Sequence, residues 1–91
     1  MTRPTRCRRI CMEPAYDSFF PDGVLTGEEV IMTLDEYETI RLIDLEEYTQ
    51  HECAKQMNIS RTTVAEIYKS ARYKMADSVV NGKQLLITGG N

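Results

Sequence analysis

Residues 49–68 read Thr-Gln-His-Glu-Cys-Ala-Lys-Gln-Met-Asn-Ile-Ser-Arg-Thr-Thr-Val-Ala-Glu-Ile-Tyr, and no other part of the chain restricts the fold as tightly. Thr49 and Glu52 have the S/T-x-x-E spacing of a capping box, so a helix should start at about Gln50. Tyr48 and Cys53 flank that cap as a hydrophobic staple. Cys53, Ala54 and Met57 then fall on one helical face, and Ala54 is small enough for a second helix to cross closely. Asn58 tolerates the left-handed conformation that a turn requires. Ile59 can plug the turn into a core, and Ser60 can cap the next helix. Val64 pairs with Ile59 as a second staple. Val64, Ile67, Ala71 and Met75 recur at helical spacing as an inward face. Two short helices joined in this way form the pattern of a DNA-binding helix-turn-helix.

The outward face of the second helix begins with Arg61, Thr62, Thr63 and Glu66 and continues with Lys69 and Arg72. A recognition helix puts its first residues into the major groove. Arg61 suits a guanine edge or a phosphate, Thr62 and Thr63 a thymine methyl or a phosphate, and Glu66 a cytosine amino group. Lys69 and Arg72, further along, suit the backbone, where they position without specifying. Together with Ser60 at the helix start, these are the candidate DNA contacts. The competing reading is an ordinary amphipathic pair whose outer charges are merely solvated.

The net charge is −3, which on its own argues against a DNA binder, but the distribution is polarised. Residues 1–11 carry Arg3, Arg6, Arg8 and Arg9 and no acid. Residues 28–47 carry eight acids against Arg41. Residues 55–83 carry six bases against Glu66 and Asp77. The basic parts are thus the arm and the recognition helix, where phosphate contacts are needed. The arm arginines could lie in a minor groove, form a solvated terminus or pair with the acidic helix of a neighbouring chain. The acidic block reads either as a helix turned away from DNA that limits non-specific binding or simply as a solvated helix face.

At 91 residues the chain is one small domain with a modest core, which dimerisation would help. No apolar run approaches the roughly 20 residues needed to span a bilayer. The basic N-terminus lacks the apolar stretch of a signal peptide, so a cytoplasmic location is expected. Residues 1–28 read as a basic arm and a loop, with Pro14, Pro21, Gly23 and Gly27 as punctuation. Tyr16, Phe19 and Phe20 are expected to pin that loop to the core. Residues 29–91 read as the helix-turn-helix domain. Its parts are a strand over 29–33, a helix over 34–47 opened by the Thr33/Glu36 capping box, a helix over 50–57, a recognition helix over 61–80 ended by Asn81-Gly82, and a strand over 84–88. The fold class is therefore mainly α: three helices with a short β element from the N- and C-terminal strands. The strands are too few to be stable alone; they could pair with each other, with the arm or across a dimer, an intrachain ribbon being preferred. On the first helix, Tyr37, Ile40 and Ile43 share one side while Leu42 and Leu45 point nearly the other way. That helix should be buried on two sides.

Three cysteines raise a second reading. Cys7 and Cys11 form a C-x3-C pair, and with His51 and Cys53 they make four potential ligands for zinc or an iron–sulfur cluster. Cys53, however, occupies a core position, and His51 faces elsewhere on its helix. Cys7 and Cys11 are the better metal or redox candidates, in a sensing or protein-interaction module without DNA contact. Otherwise no metal or cofactor is expected. With one His and no catalytic constellation, the chain does not read as an enzyme.

Three further blocks carry a resemblance: Arg3-Pro4-x-x-Cys7-Arg8-Arg9-Ile10-Cys11, the join from Glu29 to Glu46, and Gly82-Lys-Gln-Leu-Leu-Ile-Thr-Gly-Gly90. In this order they resemble an uncharacterised family of small predicted DNA-binding proteins of bacteria and archaea. Residues 49–75, with Ser60-Arg61-Thr62-Thr63-Val64 and Ala71-Arg72-Tyr73-Lys74-Met75, also resemble region 4 of bacterial sigma factors. The resemblance implies a sigma-region-4-like helix-turn-helix that binds double-stranded DNA, and it implies no target. Asn58 stands where Gly is common in that family. The expected protein is a transcriptional regulator that binds duplex DNA as a homodimer, with no membrane partner.

Overall fold

The computed structural model describes residues 14–23 and 27–89. In chain order the elements are β1 (Ser18–Phe19), β2 (Glu29–Thr33), α1 (Leu34–Ile40), a π-helical turn (Arg41–Leu45), α2 (Gln50–Met57), α3 (Arg61–Asn81) and β3 (Gln84–Thr88). Three helices and a small three-stranded sheet make a mainly helical fold.

β2 alternates as a half-buried strand should: Val30 and Met32 are buried, while Glu29 and Ile31 are exposed. Thr33 ends the strand and starts the helix. Its Oγ1 accepts from the Glu36 amide at 3.2 Å, and Glu36 Oε1 accepts from the Thr33 amide at 2.9 Å, so the capping box is complete. β3 is the central strand, in the order β1-β3-β2. It runs parallel to β2, with Val30 opposite Leu85 and Met32 opposite Ile87, and antiparallel to β1. The three intervening helices supply the long crossover that a parallel pair needs. The two longer strands therefore pair within the chain.

Two buried clusters result. Val30, Met32, Leu85, Ile87 and Ala71 form one, with Leu34, Tyr37 and Ile40 packed against it. Leu42, Cys53, Ala54, Met57 and Val64 form the other, with Ile43, Tyr48 and Ile59 around it. α3 contributes to both and spans roughly 30 Å at 1.5 Å per residue. Gly82, in the left-handed conformation at φ 66°, ends it, and the Lys83 amide closes back on the Ser78 carbonyl at 3.0 Å.

Four expectations are corrected. The helix expected over 34–47 ends at Leu45, and its last five residues are π-helical, with the Glu46 amide bonded to the Arg41 carbonyl at 3.0 Å. The wider turn rotates each residue through a smaller angle. Ile43 consequently leaves the Tyr37/Ile40 line and joins Leu42 in the second cluster, whereas Leu45 is 73% exposed. Glu47, at φ 64°, then turns the chain toward α2. Second, α3 runs one residue past the expected 61–80.

Third, the loop is not pinned by all its aromatics. Tyr16 and Phe20 are largely exposed, and Phe19, itself 48% exposed, lines the groove beside Leu85 and Ile87. Successive residues of a strand point to opposite faces, so Phe19 can face inward only if Phe20 faces out. The loop is held instead by β1 and by the Ile87 amide donating to the Asp17 carbonyl at 2.9 Å.

Fourth, the acidic block is not wholly solvated. Glu36 is 6% and Glu38 0% exposed. Glu38 takes a two-pronged contact from Arg41, Nε to Oε1 at 3.0 Å and a terminal nitrogen to Oε2 at 2.9 Å, the geometry a guanidinium fork favours. Those bonds raise the Arg41 pKa. Glu36 additionally accepts from Ser70 Oγ at 2.6 Å and Lys74 Nζ at 2.9 Å, tying α1 to α3. Among the described residues no helix is long and apolar enough to cross a membrane.

Two stability predictions follow from these contacts. Burial pushes the Glu36 carboxyl up, but hydrogen bonds from Ser70, Thr33 and Lys74, with the Lys74 charge, outweigh it and leave the pKa below its ordinary 4.5. A depressed carboxylate stabilises the fold above its unfolded pKa and loses that contribution as pH falls through the folded value. Urea unfolding should therefore find Glu36→Gln about 1–3 kcal/mol less stable than wild type at neutral pH, with the gap narrowing as pH falls below the ordinary 4.5 and through the lowered folded value. At Asn58, φ is 62°. Replacing it with Val, whose branched Cβ resists that region, should cost roughly 1–2 kcal/mol in the same assay, whereas Asn58→Gly should stay within about 1 kcal/mol of wild type.

Candidate nucleic-acid interface

α2 is started by Thr49, whose Oγ1 accepts from the Glu52 amide at 3.0 Å while Glu52 Oε1 accepts from the Thr49 amide at 2.8 Å. It buries Cys53, Ala54 and Met57, which leaves Lys55 on the outside. The turn closes with the Ile59 amide on the Ala54 carbonyl at 3.1 Å and the Asn58 amide on the Lys55 carbonyl at 3.3 Å, a Schellman arrangement with Asn58 in the left-handed position. Ser60 then caps α3, accepting from the Thr63 amide at 3.0 Å. Val64 and Ala71 are the fully buried residues of α3, so the opposite face of its first half is turned to solvent.

Arg61, Thr62, Glu66, Lys69 and Arg72 are all exposed. At 100° per residue, Arg61, Lys69 and Arg72 fall within an arc of about 80° along roughly 16 Å of helix. Ser60 and Thr63 differ from that group. Their hydroxyls are 2.8 Å apart and bonded to each other, and Thr63 is half-buried. They fix the helix start more directly than they offer free donors. Arg3, Arg6, Arg8, Arg9, Cys7 and Cys11 lie outside the described residues, so the arm and the C-x3-C pair are not placed. His51 is exposed and Cys53 buried. Burial, then the nearby Glu38 charge, pushes the Cys53 thiol up, which disfavours the thiolate that metal binding needs. Among the described residues no group of three or more His, Cys, Asp or Glu side chains could hold a metal ion.

The charges sort by position. Arg41 is paired with Glu38 and Glu46, Lys74 with Glu36, and Lys83 with Asp77 and Glu28. Lys55, Arg61, Lys69 and Arg72 make no ion pair among the described residues. Among the described residues the unpaired bases are therefore gathered on α2 and on α3 as far as Arg72, and the paired ones lie on the π-helical turn, on α3 beyond Arg72 and at the strand junction. The first amides of α3 add the positive end of its dipole to the same surface.

A feature that helical spacing only half shows is the surrounding of Arg72. Its terminal nitrogen donates to the Tyr68 hydroxyl at 2.8 Å, and its guanidinium stands 5.3 Å from the Tyr68 ring centre. The Tyr68 hydroxyl donates in turn to Asp44 Oδ1 at 2.7 Å, which holds its pKa above the ordinary 10. The i,i+4 spacing of Tyr68 and Arg72 is visible in the sequence. Asp44, 24 residues before Tyr68, has no local signal.

Elsewhere, a groove of about 360 Å³ opens between β1, α1 and the distal part of α3. Phe19, Tyr37, Ile40, Met75 and Val79 line much of it. Ser78 also lines it, with its hydroxyl engaged by the Lys83 carbonyl at 2.7 Å.

Across residues 1–91 the chain matches the family described as "Protein of unknown function DUF134". It is 55% identical over 92 aligned positions to a UPF0251 protein of Desulfitobacterium hafniense (strain DSM 10664 / DCB-2), covering 99% of this chain and 74% of that protein. A UPF0251 protein of Thermoanaerobacter pseudethanolicus is 48% identical, with 100% of this chain and 79% of the relative covered. One of Caldicellulosiruptor bescii is 47% identical, with 100% and 64% covered. No solved structure matches. Matched from end to end and close to half identical to these relatives or better, the chain belongs to this DUF134, or UPF0251, family.

Proposed function

We propose that the protein binds double-stranded DNA through α3 and acts as a transcriptional regulator, with α2, the Asn58 turn and α3 as a sigma-region-4-like helix-turn-helix. The observation that carries this reading is the segregation of charge. Every base on α2 and the first half of α3 is exposed and without an ion pair among the described residues, on a protein whose net charge is −3. An ordinary solvated face has no reason to concentrate unpaired bases on one arc, whereas phosphate contact requires it. The capped N-terminus of α3 suits insertion into a major groove. Arg61 and Thr62 are placed to meet base edges, and Lys69 and Arg72 to meet the backbone.

The reading includes a homodimer. Tyr73 and Val80, two turns apart and so nearly on one line of α3, are 72% and 78% exposed, and they offer an apolar strip for a second copy to bury.

Selection from a random duplex pool, followed by anisotropy titrations at several salt concentrations, tests the proposal. Arg61→Ala should lose about 1–3 kcal/mol on the selected sequence and relax its specificity. Arg72→Ala should weaken all sequences alike and lower the salt slope by about 1. Salt-dependent binding left unchanged in a triple Arg61/Thr62/Lys69 alanine variant would sink the reading.

A further inference from the structure

The contacts around Arg72 form a directed chain. A guanidinium only donates and a carboxylate only accepts, whereas a phenol does both. Arg72 therefore donates to Tyr68, and Tyr68 spends its own proton on Asp44. The ring beneath the guanidinium restrains it from a second direction. Only one of the five guanidinium N–H groups is used in this way, and no carboxylate pairs with Arg72 among the described residues. The arrangement restrains the cation without neutralising it.

Asp44 reaches Tyr68 from a specific piece of backbone, the π-helical turn Arg41–Leu45. That turn is closed by the Glu46 amide on the Arg41 carbonyl and the Tyr48 amide on the Leu42 carbonyl, at 3.0 and 2.9 Å. Leu42, 2% exposed, anchors it in the core. The acceptor at the end of the chain is thus fixed by buried structure although the three side chains are at the surface.

We propose that Tyr68 and Asp44 are positioning residues for DNA: they hold the Arg72 guanidinium, with most of its donors free, where a backbone phosphate meets the α3 face. The assignment rests on the DNA-binding reading and goes beyond it by naming two residues that act through a third. Their contribution is the side-chain freedom that Arg72 need not lose on binding, worth about two- to tenfold in affinity.

The test is a double-mutant cycle on a short random-sequence duplex, read by anisotropy across a salt series with thermal unfolding as the folding control. Tyr68→Phe keeps the ring and removes the hydroxyl; it should weaken binding about two- to tenfold. Asp44→Ala removes a negative charge, which by charge alone tightens binding to DNA; positioning requires that it weaken binding instead. In an Arg72→Ala background Tyr68→Phe should have no further effect, and Asp44→Ala should no longer weaken binding, leaving only the tightening that its lost charge brings. Tyr68→Phe binding as tightly as wild type, Asp44→Ala binding more tightly, or either losing the same factor with and without Arg72 overturns the assignment. Wild-type protein with no salt-dependent affinity for duplex overturns the DNA reading itself, and the assignment with it.

Discussion

α3 is the element on which the remaining structure depends, because one stripe of it serves two cores. Val64 and Ala71 are both fully buried, seven residues and so two turns apart, on nearly the same line. Val64 closes the cluster beneath α2 and the turn, and Ala71 closes the cluster beneath the sheet. Ala71 has no side chain beyond Cβ, so the sheet and α1 can approach the helix closely. Because both clusters bear on a single rigid helix, the outer face of α3 is set by burial on its inner face. The exposure of Arg61, Lys69 and Arg72 follows from that.

Buried charge reinforces the same helix. Glu36 ends the α1 capping box and also reaches Ser70 and Lys74, so one carboxylate both starts α1 and staples it to α3. Glu38 is satisfied by Arg41 alone among the described side chains. An unpaired carboxylate at such depth would be strongly destabilising, so Arg41 is committed to the core. The surface consequence is a division of labour among the bases. Those beside the acidic segments neutralise them, and those on the outer arc of α2 and α3 keep their charge.

Structure governed by neighbours three or four residues apart was legible in the sequence. Thr33/Glu36 and Thr49/Glu52 bond as their spacing implied, Asn58 takes the left-handed turn, and Ser60 caps α3. The bounds of β2, α2 and β3 fall where the residues placed them. The exposure of Arg61, Thr62, Glu66, Lys69 and Arg72 was legible for the same reason, since a helical wheel needs only local spacing, whereas Thr63 is half-buried. The π-helical turn was not, because it departs from the period on which that wheel is built. Nor was β1: two residues have no period, and Ser18 and Phe19 become a strand only through Leu86 and Leu85.

What the sequence by itself determined is β2, β3, the starts of the three helices with their caps, and the amphipathic face of α3, since each is decided by residues close together in the chain. Only the tertiary structure decided that β2 and β3 run parallel, that Glu36 and Glu38 lie in the interior, and that Asp44 meets Tyr68. Those outcomes join residues 24 or more positions apart or turn on burial. No local preference encodes them; they are fixed when both sides of α1 and one stripe of α3 are buried at once.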